Sequence, residues 1–245
     1  MPRHIHSQPQ ILIHPPAGST IWLRADYEFP STFSYRMPDV SSQFAIGVPI
    51  PSPAAVKLAL VDTAIRWSGN VSEGRRIFDV IKTARVCVVP PPRMVRFRAF
   101  IKRLKPPHSS AGPGAPTVES TGVRDYFLLD GPLSVFIEVP QSNANDIVWL
   151  LQRIRRFGTS DSVCWCEEVR EEAPSAALCP QKFSNISNAQ EGLVVRLSDL
   201  SQESRFDGFN PFGGRVQQAK LEKDIYVIPL RVQRSGETWE ILERI

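Results

Sequence analysis

Apolar and polar residues alternate along residues 94–105 (MVRFRAFIKRLK), with Val95, Phe97, Ala99 and Ile101 on one side and Arg96 and Arg98 on the other. Side chains of a strand repeat every second residue, so this segment predicts a strand whose outer face carries arginines. Shorter runs of strand character occupy residues 20–26, 85–89, 133–139, 161–169, 193–197 and 225–232. Residues 238–245 read as a closing strand or a short helix. Helical spacing is clearest after Ser52, a good N-cap, and Pro53, which fits the first helical position. Val56, Leu60, Ala64 and Trp67 recur there as an inward stripe, and Gly69 is placed to end the helix. A shorter helix from residue 72 to about 82 turns Ile77, Val80 and Ile81 inward. Asn143 or Asn145 caps a third helix running to Phe157, with Ile147, Leu150, Leu151 and Ile154 buried. Arg153, Arg155 and Arg156 load its last turn, where cations are favoured, and Gly158 stops it.

Between these elements lie a flexible lead-in (1–17), a long aromatic loop (27–51) and a Pro/Gly/Ser-rich tip (106–122), with 170–191 irregular. Residues 124–129 return as the second arm of a long hairpin. With that hairpin removed, the order from 20 to 169 is β-α-β-β-α-β. The expected class is therefore α+β: a ferredoxin-like, RRM-like domain over 18–245, with a protruding hairpin at 90–125 and extra C-terminal strands at 170–245.

Charge sharpens this picture. Of 29 basic residues, eight fall in residues 82–105, which hold no acid: Lys82, Arg85, Arg93, Arg96, Arg98, Lys102, Arg103 and Lys105. Taking those eight away leaves 21 basic residues against 25 acidic ones, an acidic body with one basic arm. Cations interleaved with Val95, Phe97, Phe100 and Ile101 have the footprint of a nucleic-acid binder, and equally of a solvated strand face. The 22 prolines predict irregular connections and few long helices. No apolar run reaches the ~20 residues of a membrane span, and a soluble, cytoplasmic chain is expected.

The cysteines (Cys87, Cys164, Cys166 and Cys179) lack the two-residue gap of zinc or thioredoxin sites and read as buried free thiols of a reducing compartment. His4, His6 and His14 precede every recognisable element, so no metal and no cofactor is expected. No Ser/His/Asp or Cys/His set, carboxylate pair or phosphate-cradling loop is legible.

Three segments, in order, resemble the Cas-five family of CRISPR-associated proteins, the RAMP subunits of Cascade-type complexes. The first is residues 33–60, FSYRMPDVSSQFAIGVPIPSPAAVKLAL, with the pattern P-x-P-S-x-x-x-x-x-L. The second, 126–169, places a GPL-x-V strand before a helix, an FG-x-x-[DE]-S turn and a strand. The third is GFNPFGGRV at 208–216. Ala55 and Lys57 depart from the family's pattern, and the segment after Gly69 is short, which leaves the subtype unassigned.

The resemblance implies a non-catalytic subunit of a CRISPR RNA-guided surveillance complex. It would bind the 5′ handle of the CRISPR RNA with its hairpin as a thumb and cap a backbone of Cas-seven subunits. It would also dock a Cas-eight-like large subunit and reach target DNA only through the complex. The expected RNA contacts are Tyr35, Arg36, Lys57, Lys82, Arg85, Arg93, Arg96, Arg98, Lys102, Arg103, Lys105 and Arg215. Phe97 and Phe100 fit stacking and core packing equally. Two alternatives stay open: a metal-independent endoribonuclease drawing on His14, Tyr35, Lys57 and His108, and an RNA-independent protein adaptor.

Overall fold

The computed structural model describes residues 19–40, 44–105, 117–185, 191–210 and 219–245. The lead-in, the hairpin tip at 106–116 and Gly213-Gly214 therefore lie outside the described residues. In chain order the elements are β1 Thr20–Glu28, β2 Phe44–Ala45, α1 Pro53–Ser68, α2 Val71–Ile81, β3 Val86–Val89, β4 Arg93–Lys105, β5 Val118–Asp130 and β6 Leu133–Pro140. They continue with α3 Ala144–Leu151, β7 Trp165–Glu171, β8 Gln181–Lys182, β9 Leu193–Leu200, β10 Leu221–Ile228, β11 Leu230–Ser235 and β12 Trp239–Arg244. The result is a mixed α/β molecule dominated by antiparallel sheets.

One sheet runs β3-β6-β1-β7, with every neighbouring pair antiparallel. Alternation along β1 turns Leu23, Ala25 and Tyr27 toward the helices, all but excluded from solvent. The Tyr27 hydroxyl donates to the Leu151 carbonyl at 2.8 Å, satisfying the one polar atom that its ring carries into the core. Helix α1 forms as its sequence dictates: the Ser52 side chain accepts from the Ala55 N–H, and Gly69 ends the helix at φ 66°. Val56, Leu60 and Ala64 are buried, but Trp67 is 58% exposed and packs edge-on against Trp149, contrary to the inward position its spacing suggests. Helix α3 stops at Leu151, six residues short of Phe157. Arg153 N–H and Ile154 N–H bond back three residues, to Leu150 and Leu151, and tighten the chain out of the helix. Ile154 and Phe157 still reach the core from this turn.

A second sheet, β8-β10-β9, packs against α1. The third, β11-β12-β4-β5-β2, holds the hairpin. Its register pairs Arg93 with Asp130 at one end and Lys105 with Val118 at the other. Strand β12 pairs with β4 only as far as Phe97, so beyond Arg98 the hairpin has no paired strand on that edge among the described residues. Strand β5 begins six residues before Arg124, and the stretch 225–232 divides into two strands around Pro229.

The cysteines correct an expectation. Cys87 and Cys179 are joined in a disulfide, with Cα atoms 5.8 Å apart. It crosses a small apolar cluster of Val89, Phe136 and Trp22 outside the main core. Cys164 and Cys166 are free. Burial pushes their thiols up to about 12 and about 11, so both are poor nucleophiles.

Candidate nucleic-acid interface

Strand periodicity sets two faces on β4. Met94, Arg96, Arg98, Phe100, Lys102 and Leu104 share one of them. At the base this face belongs to the body: Met94 is fully buried, and Arg96 pairs with Glu240 of β12 at 2.6 Å. Past the end of β12 it opens to solvent. Phe100 is 71% exposed and Leu104 68%, alternating with Arg98 and Lys102. The row alternates cation and apolar group along the free part of the arm. A single-stranded nucleic acid offers the matching pattern of phosphates and unstacked bases. On the opposite face Phe97 stacks on Tyr126 directly across the hairpin, centroids 5.7 Å apart, which commits Phe97 to packing and leaves Phe100 as the free ring.

The arm is not the acid-free feature that its sequence suggests. Neighbouring strands bring a carboxylate to each of its paired cations: Arg93 to Asp130 (2.7 Å), Arg96 to Glu240, Arg98 to Asp125 (3.0 Å) and Lys102 to Glu119 (2.8 Å). The Arg93–Asp130 and Lys102–Glu119 pairs are well exposed, and such pairs contribute ~0–1 kcal/mol, so a phosphate can displace those carboxylates. Asp125 differs. It is 1% exposed, and its second oxygen accepts from the Gly47 N–H at 3.0 Å, so Arg98 is held by a fixed buried anchor.

The eight clustered cations also do not form one surface. Lys82 and Arg85 belong to the end of α2 and the start of β3, on the body. Lys82 lies 3.6 Å from Asp79, and Arg85 pairs with Glu138 while stacking over Trp22. The Arg85 hydrogen bond holds the Glu138 carboxyl below its usual range. Lys57 must be withdrawn as an RNA contact. It is 1% exposed, and its ammonium donates to Asp199 at 2.7 Å and to the Lys82 carbonyl at 3.0 Å. Burial pushes the Lys57 amine down, and Asp199 only partly offsets it.

Tyr35 is half-buried with its hydroxyl 2.7 Å from Ser52 Oγ, while Arg36 is exposed beside an isolated bridge to Gly47. The side chains of Arg103 and Lys105, and Arg215 entirely, lie outside the described residues. Sequence reasoning missed Asp125 as the partner of Arg98, because cross-strand register is invisible until the hairpin is paired. Among the described residues, no group of three or more His, Cys, Asp or Glu side chains is placed to hold a metal, and no helix is long and apolar enough to cross a membrane.

No protein-family model matches the chain. It is 35% identical over 231 residues to the CRISPR-associated protein Cas5 of Archaeoglobus fulgidus, an alignment that covers 91% of this chain and 98% of the relative. Among solved structures it is similar to a CRISPR protein from Archaeoglobus fulgidus, at 15% identity and TM-score 0.43 over 92% of both chains. It is also similar to a chain of a CRISPR RNA-guided surveillance complex, at 14% identity and TM-score 0.40, over 86% of this chain and 89% of that one. These two structural likenesses are too distant to bear on function.

Proposed function

Because the chain belongs to the Cas5 family of CRISPR-associated proteins, we propose that it is a non-catalytic, RNA-binding subunit of a Cascade-type surveillance complex. It holds the 5′ handle of the CRISPR RNA with the β4–β5 arm. The observation that carries this reading is the exposed row Arg98, Phe100, Lys102 and Leu104. It supplies guanidinium and ammonium groups for phosphates and a free aromatic face for a base. We also read the β3-β6-β1-β7 sheet with its helices as a ferredoxin-like unit, supported by the strand order. In this reading the arm and the C-terminal strands are additions to that one domain. Capping of Cas-seven subunits and docking of a Cas-eight-like subunit are proposed on family membership alone.

Catalysis is not part of the proposal. Of the four acid–base candidates, Lys57 is spent in a buried ion pair and the Tyr35 hydroxyl is bonded to Ser52, while His14 and His108 lie outside the described residues. The test is titration of the full chain against a labelled CRISPR-repeat RNA at several salt concentrations. Arg98→Glu with Lys102→Glu should weaken binding and flatten the salt dependence by ~0.7 in log–log slope for each phosphate no longer neutralised. Unchanged affinity at every salt concentration removes the arm from the mechanism. Incubation of the same RNA in EDTA should return it uncut.

A further inference from the structure

The paired cations of the arm each face a carboxylate, whereas among the described residues three arginines of a second surface do not. Helix α1 and the turn after α3 wall an open cleft of about 530 Å³. Arg66 and Trp67 line it from the last turn of α1, Arg153, Arg155 and Arg156 line it from the turn, and Tyr35 reaches it from the aromatic loop. Among the described residues Asp62 is the one carboxylate on the wall, and Arg66 already holds it at 2.7 Å. Among the described residues no carboxylate pairs with Arg153, Arg155 or Arg156. Arg153 donates to the Trp149 carbonyl and Arg155 to the Gln152 carbonyl, bonds that orient the guanidiniums without neutralising them.

Three like charges within four residues repel, and a concave wall concentrates their field on whatever anion enters. The turn that carries them is fixed. Phe157 is buried edge-on against Tyr27, the Thr159 N–H donates to the Ser34 carbonyl at 3.1 Å, and Gly158 adopts φ 76° where a Cβ would strike that same carbonyl oxygen. Beside the cations, Arg153 lies 3.8 Å from the Trp149 ring centroid and 5.3 Å from that of Trp67, so the exposed Trp67 is braced from one side. Guanidiniums that match phosphate geometry, set next to a braced and exposed indole, fit a nucleotide strand better than a small anion, which has no use for the ring.

We propose that this cleft is a second contact for single-stranded RNA, separate from the arm, in which Arg155 and Arg156 bind phosphates and Trp67 stacks a base. This rests on the RNA-binding reading above. The test titrates the full chain with a labelled single-stranded oligoribonucleotide across a salt series. Arg155→Glu with Arg156→Glu should weaken binding about tenfold or more and flatten the salt slope by ~0.7 for each phosphate released. Its effect should multiply with that of the arm variant. Trp67→Leu should weaken binding roughly tenfold at all salt concentrations, as removal of a stacking platform does. If the double variant fails to fold, Arg156→Gln should show the same direction in a smaller step.

Wild-type binding with unchanged affinity and slope in the cleft variants overturns the cleft and leaves the arm standing. Absence of any RNA binding by the wild-type chain overturns the underlying reading instead. Release of a partner protein with RNA affinity intact assigns the cleft to a protein interface and likewise overturns the proposal.

Discussion

Asp125 Oδ1 accepts a hydrogen bond from Arg98 Nε at 3.0 Å while its other oxygen accepts from the Gly47 N–H, so one buried carboxylate ties the arm to the aromatic loop. The two partners are unequal. Asp125→Ala leaves a buried N–H unsatisfied and should destabilise the protein by about 1–3 kcal/mol in urea denaturation. Arg98→Ala strands the buried Asp125 carboxylate without its cation and should cost more, about 3 kcal/mol. A smaller loss than that of Asp125→Ala would show that the Gly47 contact, and not the ion pair, anchors the loop.

Lys57 fastens α1 to β9 through Asp199. Lys57→Met strands the Asp199 carboxylate in a largely enclosed site and should cost about 3 kcal/mol, with most of that regained when Asp199 is also made apolar. Thermal melts of the two single variants and the double variant give the coupling directly.

The acid limb of stability should follow Asp26. Burial pushes its carboxyl up, but hydrogen bonds from Ser134 and Arg24 and the charges of Arg24 and Arg170 outweigh that, and the group titrates below its ordinary 3.8. A depressed folded value contributes stability above the unfolded value, and that contribution disappears as pH falls from 3.8 through the folded value. Asp26→Asn should flatten this part of the stability–pH curve, measured by denaturation between neutral and strongly acid pH.

Alkylation of the unfolded, unreduced protein should modify two cysteines, Cys164 and Cys166, and reduction should expose all four. Cys179→Ser should lower stability by about 2–5 kcal/mol under oxidising conditions and by much less under reducing ones. Four reactive thiols without reductant would show that the bridge does not form.

What could be read from sequence was local. The Ser52 cap, Pro53 and Gly69 all act within one turn of either end of α1, and the alternation along β4 needs no partner strand to declare itself. What escaped was set by distant residues. Asp125, Asp130, Glu119 and Glu240 meet the cations of β4 only through strand register, and Cys87 finds Cys179 across a sequence separation of 92. Trp67 obeys helical spacing yet lies exposed, because Trp149 and Arg153 cover one side of it where the core does not. The arginines of residues 153–156 were visible as a group, but the early end of α3 turns them from a helix terminus into the wall of a cleft.

The carboxylates opposite the cations of β4 also act as tethered competitors. A free monovalent anion must outbid a rival that never diffuses away, whereas a polymer of phosphates returns repeatedly to the same site. In the RNA-binding reading proposed above, the arm therefore discriminates against small dissolved ions in favour of a strand that carries many phosphates.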